Sequence, residues 1–204
     1  MDKRVREALR VAMAAIVALC CAAGIAGCGS ASDEKAIREG VTELLEAFKN
    51  PTKENLGKYV DESDVSSSEL ESYGIDIYEF LGHCFSRYSY EIGDIEVSGD
   101  TATAEVKVTN VDLSVAIEEA TKDLTERSDE LAQKYADGSD DAMSGFMQEY
   151  FEIVYAKIDE VDQTVTTPVT LRLTKKDNEW NIDDDSEKEL IAAMYGSADL
   201  DLLS

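Results

Sequence analysis

One histidine and four cysteines hold most of the reactive chemistry open to this 204-residue chain. His83 stands in Phe80-Leu81-Gly82-His83-Cys84-Phe85, an apolar stretch with helical spacing. An imidazole there is either satisfied within the packing or held as a general base beside a carboxylate. The apolar neighbours favour the first. Cys84 shares that stretch, and a thiol among such neighbours is expected to be buried and inert rather than nucleophilic. Zinc needs several nitrogen or sulfur ligands, and a lone histidine beside a lone thiol cannot supply them. The acidic runs Asp183-Asp184-Asp185 and Asp137-Gly138-Ser139-Asp140-Asp141 could attract Ca²⁺. Neither has the alternate oxygen ligands and distal Glu of an EF-hand loop, so both read as solvated turns. There is no GxSxG, no phosphate-cradling glycine loop and no carboxylate pair that stands out from the acidic background. The expectation is a domain that is not an enzyme and takes no cofactor and no metal.

Charge narrows the partners. Lys and Arg number 19 against 44 Asp and Glu, for a formal net of −25. Residues 1–27 carry Lys3, Arg4, Arg6 and Arg10 against Asp2 and Glu7, which leaves 15 against 42 in the remainder. Such a surface is repelled by phosphate backbones and anionic headgroups, so nucleic acid is excluded as a partner. The simplest reading of the acidity is solubility of an exported protein.

The N-terminus has the layout of a secretory signal peptide: a basic Met1–Arg10, an apolar Val11–Ile25, then small residues. Ile25-Ala26-Gly27-Cys28 resembles the lipobox of bacterial lipoproteins, an aliphatic residue, two small residues and Cys. The resemblance implies diacylglycerol and palmitate on Cys28, cleavage before it, and a membrane anchor on the extracytoplasmic face of the cell envelope. Two acyl chains hold a protein stably where one holds it marginally, at about 0.8 kcal/mol per buried methylene. From Val11 to Gly27 the apolar stretch is 17 residues, rich in Ala and Gly, and falls short of the roughly 20 expected of a span. Cys20 and Cys21 then leave with the leader and Cys28 is acylated. Cys84 alone remains, so no internal disulfide is expected. Residues 28–32 form a lipidated tether, whose last four residues reach about 13 Å when extended.

Residues 33–204 read as one domain. A first helix over Asp33–Lys49 carries Ile37, Val41, Leu44, Leu45 and Phe48 on one face, with Ser32 as its cap. Thr52 caps a short helix with Leu56, Tyr59 and Val60. Ser66-x-x-Glu69 and Asp76-x-x-Glu79 read as capping boxes. After Tyr88 the period becomes two, with a bulge expected at Gly93 and a turn at Ser98-Gly99-Asp100. Ala102, Ala104, Val106 and Val108 face inward. Residues 116–159 are helical, split by 136–140, with Met143, Met147, Tyr150, Val154 and Ile158 on one stripe. Val165, Thr167, Val169, Leu171 and Leu173 point inward on the next strand, which Pro168 places at an edge. Trp180 and Ile182 lie inward on the last strand. Ser186-x-x-Glu189 caps a closing helix that Gly196 ends. Consecutive antiparallel strands with helices on one face mean α+β: N-terminal helices on a curved antiparallel sheet, with a helical insertion at about 116–159 between two hairpins.

The helix Ala36–Lys49, the hairpin Ile92–Val108 and the closing Val169–Leu173 with Asp177–Ile182 resemble the nuclear transport factor 2-like (cystatin-like) fold, particularly its small exported lipoproteins. The resemblance implies a helix across a curved sheet and a cone-shaped pocket. It also implies an alternative function, because enzymes of that type commonly pair a histidine with an aspartate inside the cone. His83 with a nearby carboxylate would be that pair. The first reading remains a membrane-anchored, non-catalytic binding domain for an envelope protein or a small apolar ligand. The tyrosines at 73, 78, 88, 90, 150 and 155 mix core and surface positions. A two-lobed solute-binding protein would need a longer chain.

Overall fold

A computed structural model describes residues 30–57, 59, 70–136 and 138–196. The leader, Cys28, Val60 and the Ser66-x-x-Glu69 box lie outside the described residues. The fold is α+β. Its elements run α1 (Ser30–Lys49), α2 (Lys53–Leu56), α3 (Ile77–Cys84), β1 (Ser89–Ser98), β2 (Thr101–Val111), α4 (Leu113–Glu126), α5 (Ser128–Lys134), α6 (Asp140–Glu160), β3 (Thr164–Lys176), β4 (Glu179–Ile182) and α7 (Asp184–Met194).

The strands form one curved antiparallel sheet in chain order, β1-β2-β3-β4. The β1–β2 register shifts between Ile92 and Ile95, the place the change of phase predicts for a bulge. Arg38 of α1 reaches that bulge and donates to Gly93 O at 3.1 Å and Ile92 O at 3.4 Å, which blocks part of the open β1 edge. Pro168 pairs with Lys107 of β2, whereas β4 covers β3 only from Leu173 to Lys176. Its missing N–H therefore faces an unpaired edge. The β3–β4 turn places Asp177 and Asn178 at φ 51° and 70°, as a tight hairpin turn requires.

One sheet face is buried and the other is wet. Ala102, Ala104, Val106, Val108, Val169, Leu171, Leu173, Trp180 and Ile182 all lie in the core, as their alternation predicts. Helices α1 and α7 pack on this face, α1 against β1 and α7 against β2 and β3. Glu105, Lys107, Thr166, Thr170 and Thr174 point the other way into solvent. Beyond the sheet, α4 pairs with α6, and α3 packs on α6.

Two caps differ from expectation. Helix α1 begins at Ser30, so Ser32 lies inside it, and residues 30–32 of the expected tether are helical instead of extended. Helix α7 is capped by Asp183, whose carboxylate accepts from Ser186 N at 2.8 Å. The hydroxyl of Ser186 is used differently. It is buried and accepts from Arg172 N at 3.0 Å, where β4 has run out and that N–H has no strand partner. Thr52 and Asp76 cap α2 and α3 as expected. The insertion extends slightly past 116–159, from Leu113 to Glu160, and breaks at Arg127 as well as at 135–139.

Candidate functional site

Within the insertion, helices α4, α5 and α6 flank a half-open cavity of about 430 Å³. Helix α4 supplies Thr121, Leu124 and Thr125, α5 supplies Leu131 and Ala132, and α6 supplies Ala142, Met143, Phe146, Met147 and Tyr150. The methionine stripe of α6 explains why the walls exist. Met147 and Tyr150 are buried, while Met143 and Phe146, one turn earlier, are only partly covered because α5 stands off from them. Methionine suits such a wall, since its unbranched thioether adapts to what it packs against.

A carboxylate fixes the stand-off distance. Glu149 of α6 takes Arg127 Nη2 at 2.5 Å on Oε1, and Lys134 Nζ at 2.7 Å with the Tyr135 hydroxyl at 2.8 Å on Oε2. Hydrogen bonds from Lys134 and Tyr135, with Arg127 adding to them, hold its carboxyl down at about 2. Tyr135 also lies 3.0 Å from Gly145 O, over a glycine whose Cβ would meet the tyrosine ring. Helix α5 buries only Leu131, so the clamp at its two ends, more than packing, sets its position.

Three polar side chains of the wall, Thr121, Thr125 and Tyr135, are already engaged, and Ser128 of α5 adds an exposed hydroxyl. Thr121 and Thr125 donate to the carbonyls of Ile117 and Thr121, one turn back on α4. Tyr135 is committed to the clamp. No ionisable side chain other than the tyrosines lines the cavity among the described residues.

His83 lies elsewhere, on α3. Its Nδ1 is 3.0 Å from Asp159 Oδ1 of α6, and its ring stacks on Tyr155 with centroids 4.4 Å apart and planes 9° apart. A carboxylate is thus within reach of the histidine, as the enzyme alternative requires. The pair is on the surface, with side chains 28% and 53% exposed, and is not among the residues lining the apolar cavity. Arg87 closes the same seam, donating to Asp162 at 2.7 Å and to Asp159 O at 3.1 Å.

Cys84 is fully buried, and burial pushes its thiol far above the usual range. Asp183 is a helix cap and an ion-pair partner of Arg172 at 3.0 Å, while Asp184 and Asp185 stand in the first turn of α7. Asp140 and Asp141 are exposed at the start of α6, and Asp137 lies outside the described residues. Among the described residues no three His, Cys, Asp or Glu side chains are placed to hold a metal ion. No described helix is long and apolar enough to cross a membrane. Of the six tyrosines, Tyr88 and Tyr150 are core and the other four are partly buried.

Sequence reasoning alone misses Asn110 and Glu149. Asn110 is wholly buried, and its amide donates to Cys84 O at 2.9 Å and Met194 O at 2.6 Å, tying β2 to the ends of α3 and α7. The alternation of β2 does point to it, since 110 follows 102, 104, 106 and 108 inward.

No family model and no curated protein matches this chain. A solved structure resembles it, that of a candidate lipoprotein (ycdA) from Bacillus subtilis subsp. subtilis str. 168, at 18% identity and a TM-score of 0.41. The match covers 92% of this chain and 55% of that one, so the chain spans little more than half its length. A likeness of that size carries no argument about function.

Proposed function

We propose that the protein is a membrane-anchored extracytoplasmic lipoprotein whose domain is a non-catalytic binding module, with the apolar cavity of the insertion as its site. The cavity is the observation that carries the binding part. It is a concave, mostly apolar volume within the roughly 300–1,000 Å³ typical of ligand sites. The leader and the Ile25-Ala26-Gly27-Cys28 box support the anchor. Cys28 is the lipidated residue in this reading, and the partners are the membrane through that lipid together with a small apolar ligand or an envelope protein. The frame is read as nuclear transport factor 2-like, supported by α1 lying along a curved antiparallel sheet. On that reading the space between α1, α7 and the sheet is filled by side chains, and the apolar cavity lies in the insertion.

Two measurements test the proposal. Mass spectrometry of the membrane-extracted protein is expected to find diacylglycerol on Cys28; an intact Met1 or an unmodified Cys28 ends the anchor. A pull-down from envelope extract combined with a thermal-shift ligand screen is expected to return a ligand or a partner, and an empty result in both ends the binding module.

The second reading is an enzyme using His83 with Asp159, favoured by their 3.0 Å contact. It predicts a turnover abolished by His83→Gln and retained by substitutions in the cavity.

A further inference from the structure

The lining of the cavity says what it can hold. Leu124, Leu131, Met143, Phe146 and Met147 present carbon and sulfur, the two threonine hydroxyls have spent their protons on α4 carbonyls, and Ser128 adds only an exposed, uncharged hydroxyl. A charged group of either sign would enter without a counter-charge, and burying an unpaired charge costs far more than a small contact area returns. The two cations beside α5, Arg127 and Lys134, do not relieve an anion, because two carboxylates already pair with them, Glu130 with Arg127 and Glu149 with both. The chain's net charge of −25 adds repulsion against any anionic head.

Resting on the reading of this domain as a binding module, we infer that the cavity takes an uncharged hydrocarbon-like or aromatic small molecule and rejects amphiphiles that bear a carboxylate or sulfonate.

A matched pair of probes tests this. N-phenyl-1-naphthylamine and 1-anilinonaphthalene-8-sulfonate share one ring system and differ by the sulfonate. Full-length protein with ¹³C-labelled methionine methyls reads occupancy at Met143 and Met147, with Met194 of α7 as the internal control. The neutral probe is expected to shift Met143 and Met147 saturably and leave Met194 in place, and the sulfonate is expected to bind about a hundredfold more weakly. Filling the cavity by Ala142→Phe is expected to weaken the neutral probe about tenfold. Ala132→Phe on α5 does the same from the opposite wall, should the first variant fold poorly. Unchanged emission from Trp180 in the sheet certifies folding. Equal affinity for the two probes would overturn the ligand class and leave the binding module standing. Silence at Met143 and Met147 with both probes would overturn the site, whereas the binding module falls only if pull-down and thermal shift are empty too.

Discussion

Asn110 occupies an inward position of β2 where a further valine would suit the pattern, and it does what valine cannot. Its amide satisfies the last carbonyl of α3 and the last of α7, groups that would otherwise be buried without donors. Asn110→Leu should therefore cost about 3 kcal/mol in urea denaturation, with two carbonyls stranded. Asn110→Asp should cost more, since it turns acceptors toward acceptors. Gly196 is similarly specific. Its φ is 68°, and a Cβ there would run into the Val111 carbonyl, so Gly196→Ala should destabilise by about 2 kcal/mol or more and loosen the end of α7. Cys84 gives a third expectation: Ellman's reagent should fail to label it in the native state and label it on unfolding.

Helix α5 is seven residues long and contributes a single side chain to the core, so its place depends on Glu149. The sign of the pH effect follows from a carboxyl held at about 2, below the usual glutamate value of about 4.3. The clamp's stabilisation is complete above the higher value and vanishes as pH falls through the lower one. Glu149→Gln should cost about 1 kcal/mol at pH 7. The gap from the unmodified protein should close between about pH 4 and pH 2 in denaturation measurements. The same clamp explains why the cavity is illegible in the sequence. The stripe of α6 marks an apolar face but says nothing of how far away its neighbour stands. That distance rests on contacts from Arg127 and Lys134 to Glu149, 22 and 15 residues away. The strands are legible because burial on one face leaves a strict period of two. The start of α7 is ambiguous for a local reason: three aspartates precede Ser186, each able to cap. Only the orphan N–H of Arg172 decides which group does what.

On the scale of the whole molecule the chain has two ends. Asp33, at the start of α1, holds Lys175 Nζ at 2.6 Å and the Trp180 indole N–H at 3.3 Å, so α1 begins beside the β3–β4 turn. Lys175 N donates to Asp100 O at 2.8 Å, which brings the β1–β2 turn to the same end. The insertion leaves the sheet at the opposite end, where Val111 pairs with Thr164. Eleven residues of β2 separate the two, about 37 Å at about 3.4 Å each. The insertion that holds the cavity is therefore joined to the sheet at the end away from the start of α1. Helix α1 is legible as an amphipathic helix, yet its earlier start at Ser30 is not, because small polar residues read equally well as linker.

That early start has a mechanical consequence. Where Cys28 carries the proposed lipid, one residue of sequence separates it from the helix, so a pull on that lipid passes to the first turn of α1. The first fastener to feel it is the aspartate that grips the chain's sole tryptophan, so strain at the anchor should register as a change in indole emission before the sheet itself gives way.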